Sequence, residues 1–304
     1  MTDTRDHVVV GYDGSAPAAR AVDRAAAEAA RRGTGLDVLC GWPWSPHAFP
    51  APDLGPTVDA SAAHRDAARA ALDALVAHVR RNHPGTPVTA TLTEEAAAPT
   101  LIRASRDAAL TVVGPRGHGG FAGLLLGSVG LRVAAHCEGP LLVARGDEDE
   151  HERDSEVRNT VLLGVKSGAD APAVRFAFEE AGRRGARLSV LHAWQYPPIP
   201  RGARVPPSEH DALDLEEYRK SAENVARDAV SPFREEYADV AVEADHTCAD
   251  PAPVLLEASR AADVVVLAAH RPRHRLSLQL GPVTHALLHH AHCPVVLVPI
   301  GVAR

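Results

Sequence analysis

The residues best placed to do chemistry in this chain are glycines. Gly114-Pro115-Arg116-Gly117-His118-Gly119-Gly120 follows the apolar run Leu110–Val113, and Gly127-Ser128-Val129 opens a helix-like run that ends near His136. A strand, a glycine-rich loop and a helix start make an anion site. Glycine lets the backbone come close to a phosphate, and the first N–H groups and dipole of a helix favour negative charge. Two residues separate Gly114 from Gly117, nine separate Gly117 from Gly127, and Ser128 follows at once. The loop is not of the Walker type, because no Gly-x-x-x-x-Gly-Lys-Ser/Thr occurs. Val10-Gly11-Tyr12-Asp13-Gly14-Ser15 also breaks the Gly-x-Gly-x-x-Gly spacing of dinucleotide folds.

Asp13 follows the first apolar run, where a carboxylate can reach a ligand at the end of a strand. It also suits a cap for a helix starting near Pro17, and Ser128 taken alone is an ordinary helix cap. Tyr12 and Ser15 stand beside Asp13. Arg116 and His118 read as solvated loop side chains. No Ser-His-Asp or His-Glu-x-x-His arrangement is present, so no second catalytic group joins Asp13 at a diagnostic spacing.

Elements that would position these residues follow from periodicity. His7–Gly11 is an apolar strand. An alanine-rich helix spans Pro17–Arg32, capped near Ser15 and stopped by Gly33. Leu36–Gly41, Val88–Thr93, Leu110–Val113 and Leu141–Ala144 read as further strands. Ala60–Asn82, Ala98–Arg106 and Ser128–His136 read as helices. Short apolar strands alternating with helices predict an α/β fold with a parallel sheet covered on both faces, and ligands at the carboxyl ends of its strands.

The pattern occurs twice. Val8–Ser15 parallels Val161–Gly168, Arg31–Trp42 parallels Arg183–Trp194, and Pro99–Val113 parallels Pro253–Leu267, with Ala104-Ser105-Arg106 against Ala258-Ser259-Arg260. A repeat of about 150 residues is a domain duplication, since solenoid periods are roughly 20–50. The expected domains are 1–146 and 157–304. The acidic stretch 147–156 between them holds no apolar residue and reads as an exposed linker.

At 304 residues two ordinary domains are expected. An apolar content of 45% supports packed cores, and a net charge of −7 from 32 basic and 39 acidic residues disfavours nucleic acid and anionic lipid as partners. No apolar run approaches the ~20 residues of a membrane span, and Met1–Asp6 is unlike a secretory leader. Cys40, Cys137, Cys248 and Cys293 are scattered without a Cys-x-x-Cys pair. They are expected to be reduced thiols of a cytoplasmic protein, mostly buried.

The spacing Gly114–Gly117–Gly127–Ser128 and the run Phe121-Ala122-Gly123-Leu124-Leu125-Leu126-Gly127-Ser128-Val129 resemble the ATP-binding branch of the universal stress protein family. The resemblance implies two tandem, doubly wound, five-stranded parallel sheets of Rossmann-like topology, with strand order 3-2-1-4-5. It implies ATP in the first domain, with or without magnesium. Asp13 would contact nucleotide directly or through that ion, and backbone groups of Val38 would read the adenine edge. Gly114 and Gly117 would wrap ribose and phosphates, and Gly127, Ser128 and Val129 would present backbone N–H groups, with the Ser128 hydroxyl, to the outer phosphates. Where many relatives follow this triplet with serine or threonine, the present chain has Gly130. The implied role is regulatory: a stress-response module without enzymatic turnover, its halves packed as an intrachain pseudo-dimer through Leu141–Ala144 and Val295–Pro299, with a homodimer left open. A slow ATPase or phosphotransferase, and a scaffold with a vestigial site, are the alternatives.

The second copy departs from the pattern. Lys166 stands where the first has Asp13, and Ala268, Arg271 and Pro282 stand for Gly114, Gly117 and Ser128, while Gly281 matches Gly127. Proline has no N–H to give a phosphate, yet fits a helix's first turn. ATP binding is therefore expected in the first copy alone. The loop His270-Arg271-Pro272-Arg273-His274-Arg275 is either an anion site for another ligand, with Lys166, or a solvated basic loop. His285, His289, His290 and His292 lack a matching acid or cysteine and read as surface residues rather than metal ligands.

Overall fold

The computed structural model describes residues 7–41, 58–115, 126–144, 158–196, 209–270 and 280–301, with the backbone course only for 58–64 and 209–214. The chain divides into two compact units, residues 1–153 and 154–304.

The first unit runs β1 (His7–Gly11), α1 (Ala16–Arg32), β2 (Gly35–Gly41), α2 (Val58–Asn82), β3 (Val88–Thr93), α3 (Ala97–Ala104), β4 (Leu110–Val113), α4 (Ser128–His136) and β5 (Leu141–Val143). All its strand pairs are parallel: β3 with β2, β2 with β1, β1 with β4, and β4 with β5. The order is therefore 3-2-1-4-5, as the resemblance implied. The chain steps one way from β1 to β3 and returns to β4. Right-handed crossovers then place α1 and α2 on one face of the sheet and α3 and α4 on the other; α1 touches α2, and α3 touches α4. Covered on both sides, the central strands bury almost everything: every residue of β4 is buried, as are Val8, Val9 and Val10 of β1.

Local chemistry sets the boundaries. The Ser15 hydroxyl accepts the Ala18 N–H at 3.2 Å and caps α1. Gly33, at φ +64°, ends it, its N–H donating to the Ala30 carbonyl at 3.1 Å. Gly41 must be a glycine for a different reason. A Cβ there would fall 2.5 Å from the Ala97 nitrogen, where α3 starts across the end of β2.

The second unit repeats the plan with β6 (Thr160–Gly164), α5 (Ala171–Arg184), β7 (Arg187–Trp194), α6 (Glu209–Val230), β8 (Val242–Cys248), α7 (Pro251–Ala258), β9 (Val264–His270), α8 (Pro282–His290) and β10 (Val295–Ile300). Its order is β8-β7-β6-β9-β10, again all parallel. The fold class read from the sequence, two tandem doubly wound five-stranded sheets, is the fold observed. Cys40, Cys137 and Cys293 are buried thiols and Cys248 is exposed. Among the described residues no helix is long and apolar enough to cross a membrane.

Candidate functional site

In a doubly wound sheet the strands diverge where the connections change direction, and ligands settle at that switch point beyond the carboxyl ends. In the first unit it lies between β1 and β4. Asp13 follows β1 and Gly114 follows β4, so the topology brings together two residues a hundred positions apart.

The turn after β1 is tightly specified. Gly14 has φ +86°, a conformation that glycine adopts without strain. The Asp13 carboxylate accepts the Ser15 N–H at 3.0 Å, while Ser15, not Asp13, caps α1. Asp13 thus shapes the turn and stays at the sheet edge. Its charge reaches its neighbours. Burial, then Cys40 and then Asp13 raise the Tyr12 pKa, and burial followed by Asp13 raises that of Cys40.

Gly114 lies against the start of α1. A Cβ there would sit 3.4 Å from the Pro17 carbonyl oxygen and 3.6 Å from the Ala18 Cα, so a larger side chain would press on this wall. The two ends of the glycine loop are clasped, with the Gly127 N–H donating to the Pro115 carbonyl at 2.8 Å. Gly127 is the N-cap residue of α4 in extended geometry, and Ser128 and Val129 open the helix on the surface, Val129 being 41% exposed. The first N–H groups of α4 therefore face outward at the switch point. Gly117, with Arg116, His118 and 119–125, lies outside the described residues.

One sequence expectation changes against this geometry, and one departure from the family pattern gains a cause. Val38 is wholly buried mid-strand, pairing with Val10 on one side and Ala90 on the other. In an internal parallel strand, alternate residues bond to alternate neighbours. The Leu36 N–H donates to Pro87 beside β3, and the Leu39 carbonyl accepts from Tyr12 beside β1. Even-numbered residues of β2 thus bond to β3, and the Val38 N–H and C=O are spent in that ladder rather than free to read a base. By the same parity Gly41 faces β1, past the last β1–β2 pair, Gly11 with Leu39. Gly41 is the functional candidate that spacing missed, and register is the signal that finds it. The absent hydroxyl at Gly130 also has a packing cause. Gly130 is buried, and a Cβ there would lie 2.6 Å from Leu126 Cδ1.

The second unit builds the corresponding corner from other residues. Lys166 is exposed after β6. Asp170 is 1% exposed, and its Oδ2 accepts the Lys166 and Ser167 N–H groups at 2.6 and 3.2 Å. His270 Nε2 lies 2.9 Å from the other oxygen, Oδ1. Gly281 caps α8 and Pro282 occupies its first turn, as expected, which removes one N–H from the helix start. Arg271–Arg275 lie outside the described residues. His289 is buried against His285, ring centroids 4.3 Å apart, and so is not a surface residue. Among the described residues no group of three His, Cys, Asp or Glu side chains could hold a metal ion.

The universal stress protein family model matches residues 4–145 and 158–299. A universal stress protein of Mycolicibacterium smegmatis is 30% identical over 303 residues, covering 96% of each chain. One from Mycobacterium tuberculosis strain H37Rv is 31% identical over 311 residues, covering 96% of this chain and 95% of its own. Among solved structures, a universal stress protein from Archaeoglobus fulgidus aligns with a TM-score of 0.64 at 15% identity, over 99% of this chain and 100% of that one, a likeness of fold.

Proposed function

The chain belongs to the universal stress protein family, and from that premise we propose that it is a cytoplasmic regulatory module whose first unit binds an adenine nucleotide, ATP, while the second does not. The observation that carries this reading is the convergence at the β1–β4 switch point: the Asp13 turn, Gly114 against α1, and the outward N-terminus of α4 held by the Gly127–Pro115 clasp. Phosphates would take the N–H groups of Ser128 and Val129 and the Ser128 hydroxyl, aided by the helix dipole. Gly117 would complete the loop. The adenine edge would meet the backbone of Gly41 at the end of β2. A magnesium ion held mainly by the phosphates needs only one or two carboxylates, and Asp13 suits that part.

Binding without turnover is the favoured mode. Water attack on a phosphate is helped by a group that positions or deprotonates the water. Tyr12 and Cys40 flank Asp13, and burial first, then the neighbouring charges of Cys40 on Tyr12 and of Asp13 on both, raise their pKa values, which disfavours the anionic forms a base or nucleophile would use. Calorimetric titration of ATP into wild type, Asp13→Lys and Gly117→Val tests the site, with binding expected in wild type and lost in both variants. Equal affinity in all three would remove the proposal. Phosphate release at multiple turnovers, abolished by Asp13→Ala, would instead establish a slow ATPase.

A further inference from the structure

The second unit holds a cavity of about 630 Å³ at the carboxyl ends of β6, β7 and β9, within the range of small-molecule sites. Its walls are largely apolar, with Val165, Leu191, Leu255, Leu267 and Val283 among them. Trp194 and Tyr218 add an aromatic side, edge to face with centroids 6.0 Å apart. Such walls suit a flat apolar body better than a hydrated triphosphate.

Its polar groups are few and specific. Trp194 is 6% exposed and lines the cavity, and its indole N–H, wholly buried, has no acceptor among the described residues. An indole N–H taken from water without an acceptor is costly, and buried tryptophans ordinarily find one. Lys166 lines the same cavity, and its ammonium has no carboxylate partner among the described residues. Among the described lining residues the one carboxylate, Asp170, faces His270 and two backbone N–H groups rather than Lys166.

We propose that this cavity is a binding site for a small aromatic carboxylate. The ring would lie along Trp194, Tyr218 and Leu255. The carboxylate would be held by Lys166. The substitutions that remove the nucleotide pattern from this unit, Lys166 for Asp13 and Pro282 for Ser128, thereby give a site of different selectivity. This proposal concerns a separate unit and a separate ligand, and stands or falls independently of ATP binding by the first unit.

The test uses the full chain labelled with 15N, whose three tryptophans give three indole N–H signals. Trp194→Phe identifies the Trp194 signal by its disappearance. Benzoate, 4-hydroxyphenylacetate and indole-3-acetate are titrated separately, with indole-3-acetamide as the uncharged control. The Trp194 signal should move saturably with at least one acid, and affinity should fall about tenfold for the amide and for Lys166→Gln. Ser128→Pro, in the other unit, should leave it unchanged. Thermal melting of each variant confirms that it is folded. No saturable shift from any of the three acids would overturn the proposal. So would equal affinity in Lys166→Gln, or a Trp194 shift produced by ATP and not by the acids.

Discussion

The two units keep the same frame and differ at the same corner. Gly11 lies under Leu101 in the first unit and Gly164 under Leu255 and Leu267 in the second; a Cβ would fall 2.9 Å from Leu101 Cδ1 in the one and 2.8 Å from Leu267 Cδ2 in the other, so a leucine would have to move in each. Glu28 and Glu180 are almost fully buried and pair with Arg32 and Arg184 at i+4. Ser105 and Ser259 are wholly buried and make the same two bonds. Each hydroxyl donates to a carbonyl three residues back, and each accepts an N–H 33 residues on, from Glu138 or His292, at 2.9 Å. The divergent positions, by contrast, cluster at the carboxyl ends of the strands: Asp13 against Lys166 and Ser128 against Pro282 beyond them, and Gly114 against Ala268, which lies in the last part of β9. The frame is maintained by groups whose loss leaves a buried charge or N–H unpaired, whereas strand-end residues face solvent or ligand and can change while the sheet stands.

The comparison breaks first at the buried acids. Glu28→Ala and Glu180→Ala should each cost about 3–5 kcal/mol, because each removes the carboxylate from a largely buried ion pair with Arg32 or Arg184. Urea denaturation measures this, and a cost in only one unit would contradict a shared frame. Next is the end of β2. Gly41→Ala pushes a Cβ into Ala97 and should cost about 1–3 kcal/mol by thermal melting. The second unit already has Ala193 at the matching place, and Ala193→Gly should cost only about 1 kcal/mol. Then come the bridging serines. Ser105→Ala and Ser259→Ala should each lower stability by about 1–2 kcal/mol, and by similar amounts, since each strands one N–H. The smallest effect reports on site electrostatics. The Asp13 charge disfavours the Cys40 thiolate, so Asp13→Asn lowers the Cys40 pKa and exposes more thiolate at a given pH. Alkylation of Cys40 at pH 8 should speed up about threefold, the size of a screened interaction, while the exposed Cys248 keeps its rate.

Much of the frame was legible because it depends on local rules. Ser15 and Gly33 bound α1 as capping chemistry dictates, and the doubled pattern of strands and helices gave both sheets. The candidate positions were legible where sequence order decides, since Asp13 directly follows β1 and Ser128 opens α4. They were not legible where strand register decides. Nothing in the run Leu36–Gly41 says which residues turn their N–H groups toward β1, so the base-reading role was expected of Val38, whose backbone groups belong to the β2–β3 ladder. Nor does spacing reveal that Asp170, four residues past Lys166, takes over the turn after β6, or that the Trp194 indole N–H has no acceptor among the described residues. Those facts arise from contacts between distant segments.

The central claim is that one frame carries one nucleotide site. Titrating ATP into the intact chain by calorimetry, with wild type, Ser128→Pro and Pro282→Ser side by side, tests it most directly. Ser128→Pro places in the first unit the residue the second already has, removing an N–H from the start of α4. The account predicts one ATP per chain in wild type, affinity at least about tenfold weaker in Ser128→Pro, and unchanged binding in Pro282→Ser. Two ATP per chain in wild type, or full affinity in Ser128→Pro, would contradict it.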